Sequence, residues 1–294
     1  MWFNDSLTLN NERTTQSFLI HTGSGSNSKS TKFNMIKSML GDYFCEVNAE
    51  TFTKPPKSAN ATSELYKAKG TRLIFFNEPD NDGDNKLQVP LLKKMADGYK
   101  ASLKTRGLYA DAIEFPVFFR VECACNNKPV LSSCDGGIGR RIRVVNYPVK
   151  FIAEPDKKNE FQALLNPEMN ELLTSNAVRN TYIRLLIDYF INISSKIKME
   201  CIPQNIKDDS LDYIDDSNPV LGFIMDKYVI TNNTKDRVRT SELFTDFKHK
   251  NSDFKMTSAK FKDNMLSISG IEYKKSDGNM YFTGLKAKEE FISN

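Results

Sequence analysis

The sequence predicts an α/β domain with a mainly parallel sheet, then a helical segment and a small domain of three helices and a hairpin. Three observations carry that reading. Short apolar runs at 17–22, 72–76, 118–125 and 141–145 alternate with stretches of helical periodicity, the pattern of a parallel sheet wound with helices. From about residue 155 strand-like runs give way to a strongly apolar helical stretch at 178–198 and an acidic run from Asp208-Asp209 to Asp215-Asp216. Beyond Asn218, helical patterns at 221–228, 241–250 and 257–266 precede a hairpin signal, Ser276-Asp277-Gly278-Asn279, between two short strand-like runs. That order is the order of a winged helix. The expected divisions are 1–155, 156–217 and 218–294.

Taken in order, the run at 17–22 feeds a glycine- and serine-rich turn. Phe33, Ile36, Met39 and Leu40 then recur at helical spacing, and Gly41 sits where a helix-ending glycine belongs. The stretch 54–63, with Pro55-Pro56, reads as an exposed loop, and the run at 72–76 ends at Pro79 and an Asp/Asn/Gly cluster. That cluster, Asp80 to Asp84, fails as a calcium loop because its glycine is misplaced and Leu91 stands where the closing glutamate belongs. The apolar stretch 178–198 reads as bundle core, and Pro203 with the acidic run reads as a linker.

Composition sets limits. With 294 residues, 39% hydrophobic and 27% charged, the chain suits about two ordinary domains. No apolar run approaches the ~20 residues of a membrane span, and Met1-Trp2-Phe3-Asn4-Asp5 has no secretory pattern, so an intracellular protein without a membrane partner is expected. Five cysteines, at 45, 123, 125, 134 and 201, fit reduced thiols better than a disulfide framework. Cys123, Cys125 and Cys134 lack a fourth ligand nearby and read as packing residues, and His21 and His249 have no nucleophile pattern around them. A net charge of +4 permits an anionic partner without arguing for one.

The segment Gly23-Ser24-Gly25-Ser26-Asn27-Ser28-Lys29-Ser30-Thr31 lies between a predicted strand and a predicted helix. A P-loop needs that context, because its backbone N–H groups and the helix N-terminus wrap phosphates. Lys29 would reach the β- and γ-phosphates and the Ser30 hydroxyl would ligate Mg²⁺. Ser28 stands where the motif has glycine, and taken alone the segment also fits a Ser/Gly-rich surface turn. Some fifty residues on, the strand 72–76 delivers Asn77-Glu78 to the sheet edge where α/β folds bind ligands. A carboxylate at Glu78 can position water and help hold Mg²⁺ through the nucleotide.

The third strand ends in Cys125-Asn126-Asn127-Lys128-Pro129, and Asp135 precedes Gly139-Arg140-Arg141. The order of P-loop, Asn-Glu strand, basic segment ending Thr105-Arg106-Gly107-Leu108-Tyr109, Asn-x-x-Pro and Asp…Arg-Arg resembles superfamily-three helicases. The primase-helicases of poxviruses and other large DNA viruses, with related phage and plasmid primases, are the most similar. The resemblance covers roughly 15–155 motif by motif and continues more loosely to the winged-helix-like end. It implies a P-loop, AAA+-like ATPase domain that uses ATP and Mg²⁺ in DNA replication, and a ring, usually a hexamer, with ATP between subunits. Lys29 and Ser30 would hold phosphates and metal, Glu78 would activate water, and Asn126 would sense the γ-phosphate. Arg140 and Arg141 match an arginine finger reaching the neighbour's site, and Lys100, Lys104 and Arg106 match a stretch that tracks single-stranded or forked DNA. If viral, the protein is expected at the virus replication site in the host cell.

Two departures keep a second class open. Ser28 replaces the loop glycine, and the chain begins about twenty residues before the loop, where the family carries a helical collar and often a primase. Either a separate primase or collar-bearing chain supplies these, or the sequence is a fragment. The alternative function is a truncated or degenerate relative that binds nucleotide or DNA without efficient hydrolysis.

Overall fold

A computed structural model describes residues 16–54, 63–79, 86–107, 109–194, 202–251 and 256–288. The Asp80–Asp84 cluster and most of the loop expected at 54–63 lie outside these residues. Contacts divide the chain into two units, one of Met1–Ser132 and Arg141–Lys207, the other of Ser133–Arg140 and Asp208–Asn294. The segment 133–140 thus belongs with the C-terminal unit, a crossing that linear division at 155 and 217 did not anticipate.

The first unit is built on five parallel strands: Phe18–Thr22 (β1), Phe44–Glu46 (β2), Leu73–Asn77 (β3), Arg120–Cys125 (β6) and Ile142–Asn146 (β7). They lie in the order β2-β3-β6-β1-β7. A parallel sheet is covered on both faces, which explains why its central strands read as nearly unbroken apolar runs. On one face Leu73, Phe75 and Ala124 pack against Phe33, Ile36 and Leu40 of the helix Lys29–Leu40 (α1). On the other, Phe76 stacks on Phe18 and Phe52.

The helix Val89–Ala96 (α4 in chain order, after the short helices α2, Glu50–Thr53, and α3, Ser63–Tyr66) leads to a hairpin. Its strands are Ser102–Arg106 (β4) and Ala112–Pro116 (β5). Lys100, in the turn before it, is exposed, as are Lys104 and Arg106 on β4. After β7 comes a two-stranded parallel ribbon, Lys150–Ile152 (β8) with Gln162–Leu164 (β9).

The apolar stretch expected as bundle core is the helix Asn176–Tyr189 followed by a wider turn, Phe190–Ser194. Leu186 is buried, but Leu185, Ile187, Ile191 and Ile193 are exposed, so the helix is a partly covered surface element instead. Its apolar residues run round the helix rather than along one stripe, and a single contact face cannot bury them all.

The acidic run is likewise not a linker. It forms the helix Gln204–Ser217, because Ile206, Ser210, Tyr213 and Ile214 fall on one stripe that is turned inward. Gly222 of the next helix, Pro219–Lys227, crosses it so closely that a Cβ there would lie 2.7 Å from the Asp215 Cα. Burial, aided by Asp216, Asp212 and Asp226, raises the Asp215 pKa against the opposing pull of Lys250.

The rest of the second unit holds Thr240–Lys250, Ser258–Leu266 and an antiparallel sheet of Arg237–Arg239, Asn279–Thr283 and Glu272–Ser276. The hairpin turn signal reads true: Asp277 and Gly278 both have positive φ, 52° and 77°, as a two-residue turn matching strand twist requires. Phe223, Phe247, Phe261 and Phe282 form the centre of this unit.

Candidate nucleotide site

Parallel register brings three distant segments to one edge of the sheet. Thr22 pairs with Cys125 and Asn77 with Ala124, so the chain leaves β1, β6 and β3 side by side at Gly23, Asn126 and Glu78. β6 lies between the other two, and two strand spacings separate β1 from β3 by about 10 Å.

The turn after β1 winds through positive φ at Gly25 (91°), Ser26 (51°) and Ser28 (63°). Left-handed residues next to right-handed ones are what turns successive N–H groups into an anion-binding concavity, a nest, and Ser28 stands in that relation to the first residue of α1. Gly23 is fixed by space, since a Cβ would lie 2.0 Å from Asn27 Nδ2 and 2.7 Å from the Tyr147 carbonyl oxygen. The Asn27 amide donates to that same carbonyl at 3.2 Å, and Phe151 N donates to Ser26 O at 2.7 Å. The loop is therefore braced by the segment after β7 and by β8.

Lys29, the first residue of α1, is buried. Its ammonium donates to Gly23 O at 2.7 Å, Asn27 Oδ1 at 3.0 Å and Asn126 Oδ1 at 3.2 Å. Burial lowers its pKa, and the charges of Glu78 and Cys125 oppose the shift. Glu78 is exposed, with φ of 43°, and its Oε2 accepts from Asn126 N at 3.3 Å. Beside it lies a cleft of about 380 Å³ that Glu46, Asn48, Glu50 and Asn77 also line. Ser30 is exposed and Thr31 half-buried on the first turn of α1. Ser24, at the loop's outer turn, is exposed.

Beneath the loop is a buried charge cluster that sequence reading missed. His21 Nε2 meets Glu122 Oε2 at 2.8 Å and His21 Nδ1 meets the Tyr147 hydroxyl at 3.1 Å. Arg120 Nη2 lies 2.6 Å from Glu122 Oε1, with both side chains almost wholly buried. Burial alone would raise the Glu122 pKa; Arg120, the His21 hydrogen bond and the nearly buried Lys32 of α1 reverse that and hold it well below the usual carboxylate range. The cluster ties β1 to β6, and Lys32 brings the charge of α1 to it. One signal was present: Arg120 and Glu122 alternate on a strand whose other positions are apolar, which puts two charges on one buried face. Cys123 and Cys125 are buried in the same strand, whereas Cys134 belongs to the second unit.

The two arginines part company. Arg140, exposed at the end of the short helix Gly136–Gly139, belongs to the second unit. Arg141 belongs to the first, where its guanidinium is buried and bonded to Asp97 Oδ1 at 2.6 Å. Both were expected as fingers; Arg141 is held by Asp97 within its own chain, whereas Arg140 is exposed.

The φ of 63° at Ser28 is the conformation that glycine adopts without cost. Ser28→Gly should therefore stabilise the fold by about 1 kcal/mol, read as a higher urea midpoint at unchanged slope. An unchanged or lower midpoint would mean that the hydroxyl contributes a contact worth as much as the strain.

No family model matches the chain. It is 27% identical over 248 residues to the "Putative helicase L207/L206" of Acanthamoeba polyphaga mimivirus, covering 81% of this chain and 25% of that one. It is 26% identical over 188 residues to "Primase D5" of Fowlpox virus (strain NVSL), covering 60% of this chain and 23% of the relative. The chain is similar to viral proteins named helicases and primases. It spans about a quarter of the length of these relatives. Among solved structures, the apo C-terminal region of NrS-1 shares its fold, with a TM-score of 0.50 at 14% identity over 97% of this chain and 70% of that one. Among the described residues, no helix is long and apolar enough to cross a membrane.

Proposed function

We propose that the chain is the ATP-driven motor of a viral-type replication primase-helicase, hydrolysing ATP at the interfaces of a homo-hexameric ring. The observation that carries the reading is the meeting at one sheet edge of Lys29, Asn126 and Glu78, joined by bonds of 3.2 and 3.3 Å. A surface turn has no reason to bury a lysine against the end of another strand. The residues fit ATP and Mg²⁺: the nest supplies N–H donors, and Lys29 is held by three acceptors that a phosphate can replace.

Ser30 and Glu78 would hold Mg²⁺, which would supply neutralising charge to the phosphates when bound. Lys29 orients and compensates phosphate charge. Glu78 accepts the proton of an attacking water, and Asn126, bonded to both Lys29 and Glu78, keeps base and lysine in register. Arg140 is the finger supplied to the neighbouring subunit, while Lys100, Lys104 and Arg106 track the phosphates of single-stranded or forked DNA. We read the second unit as a winged helix. A primase or collar-bearing segment, in the same or a separate chain, would complete the machine.

The test is ATP turnover with and without single-stranded DNA. The motor reading expects turnover that rises several-fold with the strand. Tight ATP-Mg²⁺ binding with no turnover under either condition would instead mark a nucleotide-binding relative that does not hydrolyse.

A further inference from the structure

We propose that Tyr109 is a base-stacking residue, its ring taking the face of one unpaired base of a DNA strand whose phosphates run past Lys104 and Arg106. The inference rests on the motor reading above and adds a residue to it. Along β4, Leu103 and Thr105 are buried and Ser102, Lys104 and Arg106 face out, so the hairpin presents a cationic row on one face. Arg106 pairs with Ala112 at the last rung of the ladder. Its Nε donates to Ala110 O at 3.0 Å, which closes the loop at the tip. Gly107 fits under this loop with its would-be Cβ 3.3 Å from the Tyr66 ring.

Tyr109 stands at that tip with 99% of its surface exposed and φ of 57°. Both facts run against the ordinary chemistry of a turn. A left-handed position at a solvent-exposed tip favours glycine, asparagine or aspartate, because a Cβ strains the backbone there. An aromatic ring held wholly in water forgoes the burial that normally justifies it. A ring with two open faces beside a cationic row is what sequence-tolerant single-strand binding uses, since every base offers a π-face while the backbone offers phosphates.

The experiment measures anisotropy of a labelled oligodeoxythymidine, an abasic strand of equal length and a duplex, with the full chain. Tyr109→Ala should weaken the oligodeoxythymidine roughly tenfold and leave the abasic strand unaffected, with Tyr109→Phe binding like the parent. The salt dependence of binding should match the parent in Tyr109→Ala, because no phosphate contact is lost, whereas Lys104→Ala should flatten it. With its ring in water, the alanine variant should keep the parent's thermal midpoint. Equal affinity of parent and Tyr109→Ala for oligodeoxythymidine overturns the proposal. So does an equal loss on the abasic strand, or a loss of self-association with strand affinity intact. A parent that hydrolyses ATP but binds no single strand overturns the stacking role alone; one that binds the strand through Tyr109 without hydrolysis overturns only the motor reading.

Discussion

Lys29→Ala should remove ATP-Mg²⁺ binding, weakening it by about a hundredfold or more, as loss of a charge-assisted contact to phosphate implies. Glu78→Gln should leave binding near the parent's and stop turnover. The two changes separate because Lys29 is buried inside the loop, with its ammonium on Gly23, Asn27 and Asn126, whereas Glu78 is exposed at the end of β3, where its carboxylate accepts from Asn126 N. Removing the lysine takes away the cation that Gly23, Asn27 and Asn126 hold in the loop. Removing the carboxylate's charge leaves the loop intact and, on the motor reading, would deprive the attacking water of its base. Calorimetric titration with ATP-Mg²⁺ and a turnover assay on the same preparations check both. Lys29→Ala protein that binds ATP as tightly as the parent would refute the P-loop assignment.

Much of this site was legible in the sequence, for a physical reason. Strands buried on both faces must be apolar throughout, so the runs near 18–22, 73–77 and 120–125 stand out, and the residues that follow them must lie at one sheet edge if the strands are parallel. Lys29, Glu78 and Asn126 each follow such a run. Ser28 was also readable as a strained position, because the loop's winding demands positive φ there whichever residue occupies it.

What stayed hidden depends on long-range packing. His21, Glu122, Arg120 and Tyr147 come from two strands and a loop, and no local period announces that they meet. Only the anomaly of two charges on a core strand hinted at it. The acidic run misled because charge density suggested solvent, while the stripe of Ile206, Ser210, Tyr213 and Ile214 decided its structure. Arg140 and Arg141 are adjacent in sequence, yet the boundary between the two units falls between them. Motif reading treats such a pair as one feature; burial separates it.

That separation yields the second large effect. Arg140→Ala should lower turnover by about a thousandfold or more, the scale of losing an arginine supplied in trans, with little change in the unfolding midpoint, because its side chain is exposed. Arg141→Ala should act differently. It deprives Asp97 of a partner at 2.6 Å, and since Asp97 keeps access to water the cost should be about 1–2 kcal/mol of stability. Mixing decides where Arg140 acts. On the ring reading proposed above, Lys29→Ala and Arg140→Ala proteins would each lack a different half of a shared site, so mixed rings would contain some complete interfaces and should recover part of the parent's turnover. Arg141→Ala protein should gain little from mixing, because its defect lies within its own subunit. If no ratio of Lys29→Ala to Arg140→Ala restores activity while rings still form, Arg140 is not a finger in trans. If Arg141→Ala is instead as stable as the parent and is the variant rescued by mixing, the buried ion pair with Asp97 must open in the assembled ring and the finger is Arg141.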